Sequence, residues 1–186
     1  MNANVFSINE YSSHIVFITG GTKSGKSEFA EYLAKKVKKL SYVALSENNL
    51  DDKEWQEKIN LHRKRRPKEW KLIETTNLTN TLRKEEGPIL IDSIGGFVMK
   101  SIGEEQNEWS TKMNLLISLL IRRKSITIIV GEQVGWSLVS EYKIGNTYIE
   151  RIGELQKRIT KISKDNWLAI NGRAIKIDEI SLEIPT

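Results

Sequence analysis

The chain has 186 residues, with no cysteine and only two histidines, His14 and His62. Those counts exclude a disulfide scaffold, a thiolate metal site, cysteine nucleophilic chemistry and a histidine-built zinc cluster. Hydrophobic residues at 39% and charged residues at 28% describe a soluble globular chain, and a formal charge of +5 suits polyanionic ligands of any kind.

Residues 1–13 are polar and weakly patterned and read as a loose arm; they lack the basic start and apolar centre of a secretory signal. Residues 14–186 read as a single domain. His14–Thr19 is a short β-branched and aromatic run, expected as a buried strand. A helix pattern follows to about Leu40, with Phe29, Ala30, Leu33, Ala34, Val37 and Leu40 on one apolar stripe. Ser41–Leu45 reads as a second strand. Asp51 to about Arg65 reads as a helix stopped by Pro67. Trp70–Glu74 is expected as a short strand, Asn77–Glu86 as a short helix closed by Gly87-Pro88, and Ile89–Asp92 as a buried strand ending in a carboxylate.

Residues 93–110 hold several glycines and many polar groups, and are expected as a loop or mobile segment. Met113–Arg123 has a helical pattern, and Ile126–Val130 is another strand. These apolar runs, Leu115–Ile121 among them, are too short to span a bilayer, so a cytoplasmic protein without membrane insertion is expected. Residues 146–165 form an amphipathic helix with Ile149, Ile152, Leu155, Ile159 and Ile162 on one face. Trp167–Ile170 and Ala174–Ile177 flank Asn171-Gly172, a dipeptide suited to a tight hairpin turn. Core packing is expected for the five tryptophans, and a structural role for His14. Alternating strands and helices imply an α/β domain with a mostly parallel sheet, closed by an antiparallel hairpin.

Gly20, Gly21, Thr22, Lys23, Ser24, Gly25, Lys26 and Ser27 match the phosphate-binding loop pattern in full. Glycines let backbone N–H groups curl around an anion, and the helix that follows presents its positive end. Lys26 is expected to reach the β- and γ-phosphates, with Ser27 as a Mg²⁺ ligand. Asp92, closing the run ILID, is expected to join it. The alternative for Asp92 is a turn or cap residue after a strand.

His62-Arg63-Lys64-Arg65-Arg66-Pro67-Lys68 is the densest charge cluster. Three readings stand: a solvated helix end, a nucleic-acid patch, or a triphosphate clamp. An imidazole among cations stays neutral near pH 7, and a neutral imidazole can attack phosphorus. A lone histidine is also commonly just a surface residue.

Taken together, GGTKSGKSEFAE, SYVAL, DDKEWQEKINLHRKRRPKEW, ILID, VGEQVGW and WLAINGRAIKI resemble the bifunctional adenosylcobinamide kinase/adenosylcobinamide-phosphate guanylyltransferase family. The resemblance runs from about His14 to Ile177, and its most specific piece is HR-x-x-RP-x-x-W, His62 to Trp70. It implies a RecA-like P-loop fold, generally a homotrimer, acting late in cobalamin assembly. ATP or GTP would phosphorylate adenosylcobinamide, and GTP would then supply GMP to that phosphate, with Mg²⁺ present and no tightly bound organic cofactor or nucleic-acid partner. His62 would carry GMP covalently. Nucleotide contacts would fall on Gly20–Ser27, on Leu45, Ser46 and Glu47, on Arg63, Lys64, Arg65 and Arg66, and on Glu74 and Asp92.

The chain departs from the family pattern in three places. The usual Asn-Glu-Val-Gly stretch is Glu132-Gln133-Val134-Gly135, replacing a carboxylate by an amide at 133. A proline is replaced by Ser140, and SIGGFV follows Asp92 where a bulkier apolar helix start is usual. A P-loop enzyme keeping only one half-reaction is the alternative these departures raise, with a nucleic-acid-binding NTPase as a third.

Overall fold

Continuous apolar runs make the central strands of this protein apolar on both faces, which requires cover on both sides. In the computed structural model, which describes residues 14–45, 66–136 and 140–185, that cover comes from helices. Seven strands form one sheet: β1 (Ile15–Gly20), β2 (Ser41–Ala44), β3 (Lys71–Glu74), β4 (Ile89–Asp92), β5 (Thr127–Glu132), β6 (Asp165–Ile170) and β7 (Arg173–Lys176). Their spatial order is β3-β2-β4-β5-β1-β6-β7. Neighbours run parallel except β6 and β7, which pair antiparallel as the closing hairpin.

The helices are α1 (Lys26–Ala34), α2 (Leu78–Lys84), α3 (Gly95–Lys100), α4 (Gln106–Arg122) and α5 (Lys143–Ile162). Alternation along the strands divides the core. Val16, Ile18, Leu90, Ile128 and Val130 pack with Ala30, Leu33 and Ala34 of α1. Phe17, Val43, Ile89, Ile91 and Ile129 face the other way, onto Leu82, Phe97, Leu116, Ile152 and Leu155 of the remaining helices. The amphipathic stripe of α5 therefore covers the sheet, as Ile152, Leu155 and Ile159 are buried.

Several boundaries differ from the sequence expectation. Residues 93–110 are not one loop: they hold α3 and the first turn of α4. The polar start of α4 is a capping box. The Glu105 side chain accepts from the N3 backbone, and Glu108 reaches back to the Glu105 N–H. Trp109, fully buried, then anchors that turn. α1 stops at Ala34, and the chain turns through Lys39 at φ 53° before β2, while Val37 and Leu40 stay buried. β6 begins at Asp165 because its backbone pairs with Val16 of β1 there, and this ends α5 at Ile162.

Among the tryptophans, Trp70 and Trp109 are buried, whereas Trp136 is 66% exposed. It follows the glycine turn after β5, beyond the edge of the sheet, and so departs from the expected core role. His14 does have a structural setting. Its Nε2 lies 3.9 Å from Asp165 Oδ2, and burial lowers its pKa more than Asp165 raises it. The expected arm at 1–13, the helix over Asp51–Arg65 and Trp55 lie outside the described residues. Among those described, no helix is long and apolar enough to cross a membrane.

Candidate phosphate-binding and transferase site

The first helix begins where the phosphate loop ends, and the backbone shows why glycine and small residues occupy that loop. Gly25 sits at φ 94° and Lys23 at φ 57°, both left-handed, so the chain curls instead of extending. At Gly20 a Cβ would lie 2.4 Å from the Ala169 carbonyl oxygen and 2.6 Å from Ser24 Oγ. No side chain fits between β6 and the loop at that point. Ser24 Oγ is buried inside the curl without a hydrogen-bond partner, a polar atom available to an anion in the loop. Lys26 Nζ donates across the curl to the Gly21 carbonyl at 3.1 Å.

The hairpin braces this loop from outside. Asn171 and Gly172 take positive φ, 49° and 73°, the expected turn geometry. The Gly172 N–H donates to the Ser24 carbonyl at 3.0 Å. A Cβ at Gly172 would meet nothing within 4 Å, so Gly172→Val is penalised through the backbone alone. We expect a loss of about 1–2 kcal/mol in thermal or urea unfolding, with a raised KM for nucleotide because the brace on Ser24 shifts.

Asp92 ends β4 beside the start of α1. Ser27 Oγ donates to its Oδ1 at 3.2 Å, and Tyr42 Oη donates to its Oδ2 at 2.6 Å. Hydroxyl and carboxylate thus stand together at the rim of the anion cradle, a pairing that fits a Mg²⁺ ion completed by water and phosphate oxygens. No group of three or more His, Cys, Asp or Glu residues placed to hold a metal ion occurs among the described residues.

Tyr42 links this carboxylate to the basic segment. The Arg66 guanidinium lies 3.4 Å from the Tyr42 ring centroid, and its Nε is 3.8 Å from Glu31 Oε1 on α1. Burial, then the Asp92 charge, holds the Tyr42 phenol far above its ordinary pKa, so it remains a donor. Arg66 is therefore packed against β2 and α1, where it ties the end of the HR-x-x-RP segment to the Asp92 side of the site.

The structure brings Lys26, Ser27 and Asp92 together, with Arg66 one residue removed through Tyr42. Leu45, just after β2, lies against Gly96, where a Cβ would come within 2.2 Å of the Leu45 carbonyl oxygen. Glu74 is exposed at the end of β3. Ser46, Glu47, His62, Arg63, Lys64 and Arg65 lie outside the described residues.

Sequence reasoning misses Tyr42 and undervalues Glu132. Tyr42 reads as one more aromatic in a buried strand. Glu132 carries the same signal as Asp92, a carboxylate closing an apolar strand run, but the expected strand ends at Val130, whereas β5 continues through Gly131 to Glu132. The Glu132 oxygens accept from Ser93 Oγ and from the Gly95 N–H, the latter at 3.2 Å. Burial raises its pKa, against smaller lowering influences that include Lys26.

Four similarities bear on this arrangement. The bifunctional adenosylcobalamin biosynthesis protein CobU of Escherichia coli (strain K12) is 24% identical over 181 residues, covering 88% of this chain and 99% of that one. The protein of the same name from Salmonella typhimurium (strain LT2) is 26% identical over the same coverage. Among solved structures, a prototypical ATPase from the type III secretion system of pathogenic bacteria superposes with a TM-score of 0.54 at 14% identity, over 84% of this chain and 51% of that one. At that identity the likeness concerns the fold alone, and it agrees with a RecA-like P-loop sheet. The sequence model for cobinamide kinase / cobinamide phosphate guanyltransferase matches residues 16–177, from the first strand through the hairpin that braces the phosphate loop, and this chain belongs to that family.

Proposed function

We propose that this chain phosphorylates the hydroxyl of adenosylcobinamide with ATP or GTP, then transfers GMP from GTP to the new phosphate through a covalent intermediate on His62. The product is adenosylcobinamide-GDP. The observation that carries the reading is the phosphate loop joined to a metal-competent pair, Ser27 Oγ to Asp92 Oδ1 at 3.2 Å; family membership supplies the corrinoid. Mg²⁺ held by Ser27 and Asp92 would neutralise phosphate charge as it develops on the leaving oxygens. The loop amides and Lys26 hold the phosphates in place.

In the guanylyl half-reaction the His62 imidazole attacks the α-phosphorus of GTP. An N–P bond forms as the bond to the pyrophosphate oxygen breaks, with Arg63 and Arg65 balancing the charge that leaves. A corrinoid phosphate oxygen then attacks the same phosphorus and the N–P bond breaks. Two in-line displacements retain configuration at phosphorus. Arg66, packed on Tyr42 and Glu31, stands on the Asp92 side of the site, where a nucleotide contact is expected of it. The same reading includes a homotrimer in the cytoplasm, with neither nucleic acid nor membrane as partner.

The test is intact-protein mass after mixing with GTP and Mg²⁺. We expect a gain of one GMP, acid-labile and alkali-stable, that is absent from His62→Ala. That variant should still phosphorylate adenosylcobinamide. A His62→Ala protein that takes up the GMP label overturns the assignment.

A further inference from the structure

Glu132 has no part in the nucleotide chemistry above, yet its seat is specific. β5 lies between β1, which leads into the phosphate loop, and β4, which ends in Asp92, with Glu132 level with Gly20. The carboxylate therefore sits at the carboxyl edge of the sheet, where ligands of open α/β folds bind. Ser93 Oγ and the Gly95 N–H fix its two oxygens from the β4–α3 turn. The Tyr148 phenol of α5 closes the other side, its pKa raised by burial and then by the Glu132 charge.

Glycine at 95 is what admits this group. A Cβ there would lie 2.7 and 2.8 Å from the two Glu132 oxygens and 2.3 Å from Tyr148 Oη. The glycine at 95 and the glutamate at 132 thus meet in space and accommodate one another. Gln133 is engaged elsewhere, where its Nε2 donates to Gln156 Oε1 at 3.3 Å and ties the strand end to α5.

We propose that Glu132 accepts the proton of the corrinoid hydroxyl during its phosphorylation, a role that rests on the kinase reading above. The hydroxyl oxygen bonds to the γ-phosphorus as the bond to the β,γ-bridging oxygen breaks. The nucleoside diphosphate leaves with that electron pair, and the proton passes to a Glu132 oxygen and then to solvent. Three features fit. The carboxylate has no cation within ion-pair distance among the described residues, so its lone pairs are not committed to a salt bridge. Burial is the largest influence on it and favours taking up a proton. Its register opposite Gly20, the first residue of the phosphate loop, sets it beside the phosphate site.

The second half-reaction separates this role from a structural one. Its acceptor is a phosphate oxygen with no proton to lose, so no base is required there. The experiment measures each half-reaction alone, adenosylcobinamide with ATP or GTP, and adenosylcobinamide phosphate with GTP, for wild type, Glu132→Gln and Glu132→Asp. We expect Glu132→Gln to lower kcat of the kinase step by about 10²–10⁴-fold with KM for nucleotide unchanged, while GMP transfer continues at the wild-type rate. Glu132→Asp, which keeps a carboxylate on a shorter arm, should recover part of the kinase rate. A Glu132→Gln protein with wild-type kinase kcat overturns the proposal, as does equal loss of both half-reactions. Wild type that guanylylates the phosphate but never phosphorylates adenosylcobinamide removes the kinase reading itself, and with it this role, before any variant is compared.

Discussion

Lys26→Ala is expected to lower kcat of both half-reactions by about 10²–10³-fold, the scale of removing one fixed charge-stabilising group from a transition state. Lys26 opens α1, and its ammonium already reaches over the loop to the Gly21 carbonyl at 3.1 Å. On the proposed reading a nucleotide entering the curl would take over that ammonium, so the charge would be in place before reaction and need little reorganisation. Phosphoryl transfer leaves the protein little covalent work, which makes positioned charge the main contribution. Alanine removes the charge, while the curl is still set by Gly20, Lys23, Gly25 and the brace from Gly172. The unliganded thermal midpoint should therefore stay near wild type, whereas the upward shift given by GTP should shrink, because ligand stabilisation follows affinity. Lys26→Arg should not restore the rate, since a planar guanidinium does not replace a compact point charge. Steady-state kinetics of each half-reaction and melting with and without GTP check this; wild-type kcat in Lys26→Ala would show that the loop does not act as described.

Trp109→Ala is expected to cost about 3–5 kcal/mol of folding stability, a large share of the margin of an ordinary domain. Trp109 is fully buried and its ring lies 5.9 Å from that of Phe97 on α3. Its Nε1 donates to Glu154 Oε2 at 3.0 Å, and the Arg151 guanidinium sits 5.4 Å from its ring centroid. Arg151 in turn donates to the Ser101 and Glu104 carbonyls, fastening the α3–α4 connection to α5. Alanine thus opens a cavity, strips Glu154 of its donor and loosens Arg151 together. Urea unfolding should show a lower midpoint with an unchanged slope. The same packing positions α3, which begins at Gly95, whose N–H donates to Glu132. A milder Trp109→Phe should recover most of the apolar packing and leave Glu154 unpaired.

The phosphate loop, the strand runs and the hairpin are legible in the sequence because each depends on residues close along the chain. Gly20 to Ser27 states its curl through glycine spacing, and Asn171-Gly172 states its turn through tolerance of positive φ. The α3–α4 region is not legible in that way. Its capping box is built from Glu105 and Glu108, residues that in isolation read as polar loop, and its stability comes from Trp109 packing against α3 and α5. Trp136 misleads in the opposite sense: an indole suggests a core, yet the turn after β5 carries it past the sheet edge.

What the sequence determined by itself was the anion cradle, the alternation of strand and helix, and the segments that mark its family, since all three are written in local spacing. The partners of those parts were decided by tertiary structure. Strand order set β5 between β1 and β4, and only that order puts Glu132 against the turn after Asp92 and lets Gly95 make room for its oxygens. It also let Tyr42 join Arg66 to Asp92 across separate elements. The physical reason is the same in each case: hydrogen bonds and ring contacts between residues dozens of positions apart come into being only when the sheet assembles.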